Sequence, residues 1–463
     1  VENFQITATL QAVTDHLYFW IEDGVDFSER ELDALAEAFE TQIYPTNREF
    51  FGSEWKPGVD NDPHLYVIYA RGLGANLAGY FSSVDEYHPL ANEYSNAHET
   101  FMLNADTIGL GETFTYGVLA HEFQHMIHWY GDMNETSWLN EGFSELATLL
   151  NGYRNSSGFD YVYAQNPDLQ LNDWPNDSAK TTTHYGSSFL FVTYFLDRFG
   201  NEATQALVSH DLNGMSSVDR VLQDLGAIDP LTEHVITADD VFLDWVISNY
   251  LYNIYNLSGR YSYSIYSSVP EFDETETFNA CPFAPQDRSV HQYGVDYIQL
   301  SCQGNYTLQF DGEEQVGVLP QDAYSGAYAF WSNKGDHSNM TLTRTFDFTD
   351  HTSPLTLTYW TWYDLEEDYD YLYLEASTNG EDWTILRTPS GTDEDPSGNS
   401  YGWGYNGLSG GDGSWIKEEV DLSQFAGQEV QIRFEYVTDA AVNGEGLLLD
   451  DVAIPETGYS SDF

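Results

Sequence analysis

The segment His121-Glu122-Phe123-Gln124-His125 restricts what this chain can fold into more than any other. Two histidines four residues apart share a face on a helix, so both imidazoles can reach one metal ion. A rigid metal site needs a buried helix beneath it, and the apolar run Phe114–Ala120 leads into the motif. Asn140-Glu141-Gly142 follows on what reads as the next helix, which Phe143, Leu146 and Leu149 give a buried side, with Glu145 one turn past Glu141. His121, His125 and Glu141 are therefore expected to bind zinc and to leave a fourth position for water. Glu122 is expected to be the general base for that water. Glu145 is read as the carboxylate that orients a ligand histidine through its free ring nitrogen.

The order HExxH and then Asn-Glu-Gly resembles the gluzincin metallopeptidases, in which that glutamate is the third ligand. A metzincin would need glycine three residues after His125 and His or Asp three further on, where this chain has His128 and Gly131. The runs His121–His128 and Glu99–Asn104 resemble the hyicolysin-type secreted bacterial peptidases. Fifteen residues separate His125 from Glu141, fewer than in thermolysin or the alanyl-aminopeptidases, which favours an endopeptidase. The resemblance implies a secreted zinc endopeptidase acting on protein or peptide substrates. Two other functions stay open: a binding protein on a zincin-like scaffold, or a zinc hydrolase of non-peptide esters or amides, either with a C-terminal sandwich that recognises carbohydrate or protein.

Gluzincins place a Tyr or His downstream of the third ligand to stabilise the developing oxyanion. The segment Thr183–Asp197 reads as a loop feeding a helix and offers Tyr185 or His184 for this role. His128, one turn past His125, reads as a packed helix histidine.

Upstream of the motif, strand and helix signals alternate. Gln5–Ile21 has period-two patterning, and Ser28 is the expected N-cap of a helix that reaches a break at Tyr44-Pro45. His64–Tyr69, Leu77–Ser82 and Glu99–Asn104 read as strands, one of them an edge that pairs with an extended substrate. After Glu141 helices dominate, at roughly 144–152, 187–199, 201–209, 216–225 and 238–254. This layout predicts an α+β zincin-type catalytic domain over 1–255, with the cleft between two lobes.

Beyond residue 255 the chain becomes all-β in character. A small β unit is expected over 256–318, with strands at 290–300 and 306–310 and one disulfide between Cys281 and Cys302, the only two cysteines. Residues 319–463 read as a jelly-roll β-sandwich with strands at 338–346, 355–362, 370–375 and 429–436. The runs Asp364–Tyr371, Ser377–Trp383, Val420–Gly427 and Leu449–Ile454 resemble the C-terminal domain of the immune inhibitor A family. Such domains often bind calcium through carboxylates, and Asp368, Asp370, Asp450 and Asp451 are the acids on these runs; Asp60-Asn-Asp62 is a second acidic turn.

Composition limits the partners. With 75 acidic and 15 basic residues the formal charge is −60, which excludes nucleic acid and disfavours anionic membranes. At 41% hydrophobic and 16% aromatic the chain can still build cores. No run of 18 apolar residues occurs that would span a membrane. The sequence begins at Val1 without a leader, so a mature, secreted, monomeric form is expected, with a leader and perhaps a propeptide removed. A dense acidic, lysine-poor surface suits high salt, where the Debye length falls to about 3 Å at 1 M. Thermal unfolding scans are expected to show Tm rising from low salt to 1 M NaCl; a flat profile would remove the salt-tolerance reading.

Overall fold

The computed structural model describes residues 4–75, 77–154, 158–175, 180–252, 259–313, 316–440 and 442–461. They fall into two compact units, Phe4–Gln309 and Phe310–Phe463. The expected boundary at 255/256 and the end of the helix expected to reach 254 lie outside the described residues.

The first unit begins with β1 (Ala8–Val13) and β2 (Leu17–Glu22), an antiparallel hairpin. A helical crossover follows: α1 (Glu29–Ala38), one π turn at Phe39–Ile43, and α2 (Tyr44–Phe51). The break expected at Tyr44-Pro45 is thus not an end. Pro45 sits in the first turn of α2, where a missing N–H is harmless, and the wider π turn before it separates the two helices. Next come β3 (Leu65–Ala70), β4 (Gly79–Phe81) and β5 (Thr100–Asn104), giving the sheet order β1-β2-β3-β5-β4. The β2–β3 and β3–β5 pairs are parallel, and β4 closes the edge antiparallel to β5. One face carries Leu17, Phe19, Ile21, Leu65, Val67, Phe101 and Leu103, all buried. Each such side chain contributes roughly 1.5–3 kcal/mol by leaving water.

That face packs on helices. α3 (Thr113–Gly131) is buried nearly all round, as a central helix must be when apolar side chains occupy every face. α4 (Ser137–Leu150), α5 (Phe159–Gln165), α6 (Thr181–Val208), α7 (Gly214–Asp224) and α8 (Ala238–Leu251) complete the helical part. α6 runs through a kink at Gly200, where the patterning suggests two helices. It also starts at Thr181, so the loop expected around Thr183–Gly186 is already helical. α5 has no counterpart in the sequence reading.

The expected strand at 290–300 is reduced to its last three residues. β6 (Glu276–Phe278) pairs in parallel with β7 (Ile298–Leu300), while Tyr293, Val295 and Tyr297 pack against the core of the first unit from an irregular backbone. Residues 306–310 pair with no strand among the described residues, and Tyr306, Leu308 and Phe310 are exposed. Cys281 and Cys302 form the expected disulfide, with Cα atoms 5.7 Å apart, just past the ends of β6 and β7. No described helix is long and apolar enough to cross a membrane.

The second unit is all-β. Its strands are β8 (Phe330–Trp331), β9 (Asn339–Asp347), β10 (Thr356–Asp364), β11 (Tyr371–Ser377), β12 (Thr384–Ile385), β13 (Ile416–Asp421), β14 (Glu429–Val437), β15 (Gly446–Ile454) and β16 (Tyr459–Ser461). They form two antiparallel sheets, β13-β10-β15-β16 with β8 beside β15, and β12-β11-β14-β9. Leu357, Tyr359, Leu374, Ile432, Phe434 and Leu449 from both sheets share one core. The four strands read from the alternation pattern all form, within two residues of their expected ends.

Candidate metal centre

α3 and α4 pack side by side, which sets the second block of the sequence opposite the first. Ser144 on α4 donates its hydroxyl to Gln124 on α3 and locks the pair in register. Gly142 allows α4 to approach α6: a Cβ there would lie 3.0 Å from the Ser188 carbonyl oxygen. The residue after Glu141 must therefore be small for this helix to seat.

His121 Nε2 and His125 Nε2 lie 3.0 Å apart, and Glu141 Oε2 lies 3.3 and 3.5 Å from them. Ligands about 2.0–2.1 Å from a tetrahedral zinc stand roughly 3.3 Å apart, so the three atoms already have the spacing of a zinc triad. Glu141 Oε2 is buried without a hydrogen-bond partner, as expected of an oxygen reserved for an ion. Burial alone would raise the Glu141 carboxyl, but His125 and His121 outweigh it and hold its pKa below the ordinary carboxylate value. Burial likewise opposes charge on His121, yet Glu141 and Glu145 hold its pKa well above the usual histidine value. The donor set fits a divalent N/O-binding metal.

The remaining ring nitrogens are held. His121 Nδ1 lies 3.3 Å from Glu145 Oε1, and Glu145 is ion-paired with the buried Arg154. His125 Nδ1 lies 2.7 Å from Asn140 Oδ1 and 3.0 Å from Ser144 Oγ. Glu122 is buried, and its Oε2 accepts the Phe81 N–H from edge strand β4 at 2.9 Å. Burial pushes its pKa up. Tyr185, the fifth residue of α6, interacts with Glu141, and its ring centroid is 6.4 Å from that of His121. The His184 ring lies 5.9 Å from Trp174, which also borders Tyr185 at 5.0 Å. Burial strips His128 of its proton, with its pKa pushed down to about 3, so it is a neutral core histidine.

Asn140, Ser144, Arg154 and the Phe81 N–H were not singled out in the sequence. Asn140 could have been, as the neighbour of Glu141; Arg154 carries no local signal. The four acids expected as a calcium set do not gather. Asp450 Oδ2 and Asp451 Oδ1 accept from the Ser325 N–H and hydroxyl, both at 2.9 Å. Asp370 instead joins Glu366 and Asp439, whose oxygens lie within 4.8 Å of one another. Burial, then the neighbouring acids, push Glu366 up to about 10, and burial is also the main cause that lifts Asp370 to about 8. In the second acidic turn, Asp60 and Asp62 pair with His98 and His64.

The family described as Immune inhibitor A-like, MAM domain, matches residues 295–461. The match takes in the four runs read as resembling immune inhibitor A, and the C-terminal region is similar to that family over these residues. Among relatives, the Pre-pro-metalloprotease PrtV of Vibrio cholerae is 32% identical over 142 residues, 31% of this chain and 14% of that protein. Immune inhibitor A of Bacillus thuringiensis is 32% identical over 134 residues, 29% of this chain and 18% of that protein. The Neutral metalloprotease ShpI of Staphylococcus hyicus is 24% identical over 244 residues, 48% of this chain and 51% of that protein. The last match is longer than the MAM domain, so it includes residues outside it. The chain matches less than two thirds of the length of each.

Proposed function

We propose that this chain is a zinc endopeptidase of the gluzincin type, similar to the hyicolysin-type peptidases, acting outside the cell on protein or peptide substrates. The observation that carries the proposal is the convergence of His121 Nε2, His125 Nε2 and Glu141 Oε2, with Glu122 beside them. The names of two relatives, both metalloproteases, support it. The disulfide fits an oxidising compartment. A catalytic α+β domain of zincin type, followed by an accessory MAM domain, on a monomeric chain is part of the same proposal.

Zinc held by the triad would polarise the scissile carbonyl and lower the pKa of a water to about 7. Glu122, fixed by the Phe81 N–H, takes a proton from the attacking water and delivers it to the leaving amine. Tyr185 donates its hydroxyl to the carbonyl oxygen as that atom gains charge. β4 ends the sheet beside Glu122, and its outer edge suits an extended peptide laid down as a further strand. In the MAM domain, Glu366, Asp370 and Asp439 are the proposed calcium ligands.

Casein cleavage with and without a chelator tests the assignment: activity should disappear with zinc and return when zinc is restored. A zinc-loaded chain that cleaves neither casein nor peptides would overturn it in favour of a binding scaffold or a hydrolase of non-peptide bonds. Glu145 is expected to act through His121. Glu145→Gln should weaken zinc by about 10–100-fold, read by competition with a chromogenic chelator.

A further inference from the structure

In the second unit one edge strand lacks the protection that other edges have. β9 ends the sheet β12-β11-β14-β9 and pairs only with β14 among the described residues. It runs nine residues in unbroken register, without proline or glycine, and seven of the nine are exposed. At the opposite edge β12 has two residues, a common way to blunt a sheet against further pairing. The register with β14 sets Met340, Leu342, Arg344 and Phe346 opposite Tyr436, Phe434, Ile432 and Val430, all of them core residues. These four β9 side chains therefore lie on the inner face of the sheet. Leu342 is nevertheless 37% exposed.

Beneath that edge the packing leaves a hollow. Trp331 of β8, Met340 and Leu342 of β9, Phe434 of β14, and Leu447 and Leu449 of β15 line about 320 Å³. Ligand pockets run from about 300 to 1,000 Å³, so this one suits an apolar side chain or two. Two residues along the same face stands Arg344, the one cation of β9. Its guanidinium lies over the Tyr459 ring at 4.5 Å and makes no ion pair among the described residues. That is notable on a chain with 75 acidic and 15 basic residues, and it leaves Arg344 available to a carboxylate from outside. An unpaired edge, an apolar hollow and an unpaired arginine at a spacing of two match a single kind of occupant. A strand added to β9 would present alternate side chains to this face.

We infer that β9 captures an extended peptide as an added strand, with a large apolar side chain in the hollow and, two residues from it, a carboxylate at Arg344. Main-chain hydrogen bonds to the edge supply affinity, and the hollow and Arg344 supply selectivity. The occupant is a stretch of the protein substrate. That assignment rests on the peptidase reading, whereas the peptide site itself rests on β9 alone.

The test is fluorescence anisotropy with labelled acetyl-Thr-Glu-Thr-Phe-Thr-Glu-Thr-amide, which offers the same spacing in either direction along β9. The zinc-loaded full chain carries Glu122→Gln so that the probe stays intact. Replacing the probe's phenylalanine by alanine should cost about 10–100-fold in affinity, the worth of one buried apolar side chain. On a chain that also carries Leu342→Gln, the two probes should bind alike. Arg344→Glu should weaken the glutamate probe about 2–5-fold and strengthen a lysine counterpart by a similar factor, which also shows that the strand still folds. In the chain with Glu122 intact, Leu342→Gln should raise KM for casein. Absence of binding, or binding indifferent to both Leu342→Gln and Arg344→Glu, would overturn the inference; the second result would put the probe in the zinc cleft. Sedimentation showing a dimer that Leu342→Gln dissolves, with no peptide bound, would overturn it in favour of a second copy. An unchanged casein KM would remove the substrate as occupant. Binding by a chain that cleaves nothing would uphold the site and remove only the peptidase reading.

Discussion

Replacing Glu122 by glutamine is expected to cut peptide hydrolysis by about 10²–10⁴-fold, the usual contribution of a positioned general base. Zinc content and Tm should barely change. Glutamine has the same size and still offers an oxygen to the Phe81 N–H, so the β4 contact at 2.9 Å survives. It has no basic oxygen to take a proton from water. The proposed metal ligands are all elsewhere, on His121, His125 and Glu141, so the metal should stay. Burial already disfavours a charged Glu122, and a neutral amide costs the fold nothing extra. A loss in kcat with little change in KM, alongside full zinc occupancy, would identify a group that acts on the reacting water and not on the metal. If zinc left with the mutation, Glu122 would instead be supporting the site.

The convergence of His121, His125 and Glu141 was legible because its spacing is local. Two histidines at i and i+4 are neighbours on any helix, and Glu141 belongs to the next helix, so little three-dimensional information was required. The sandwich strands were legible for a related reason: alternation marks one buried face, and β9, β10, β11 and β14 form close to where it marks them. What escaped depends on tertiary packing. Arg154 lies past the end of α4 with no periodic pattern to direct it at Glu145, and the Phe81 N–H meets Glu122, forty-one residues on, only once the edge strand and α3 are packed together. The misread loop at Thr183–Gly186 has a local cause. Glycine and β-branched threonines weaken helix propensity there, but packing of Phe159 against Tyr185, with ring centroids 5.2 Å apart, overrides it. The gathering of Asp370 with Glu366 and Asp439 joins the end of β10, the start of β11 and the end of β14, so acidic runs taken one at a time do not show it.

Of the two candidates for the oxyanion donor, we propose Tyr185. Consecutive helical residues point about 100° apart, so the two side chains leave α6 in different directions. Tyr185 interacts with Glu141 and its ring centroid is 6.4 Å from that of His121. Tyr185→Phe is therefore expected to lower kcat by about 10²–10³-fold, the cost of one lost oxyanion donor. KM should move little, since the hydroxyl binds the oxygen most strongly once it carries charge. Phenylalanine keeps the ring between Phe159 and Trp174, at 5.2 and 5.0 Å, so the fold and the zinc should be retained. His184→Gln should leave kcat nearly unchanged. Steady-state kinetics on one peptide substrate, with zinc content measured on each variant, separates the two. The opposite result, kcat lost with His184 and kept with Tyr185→Phe, would give the role to His184.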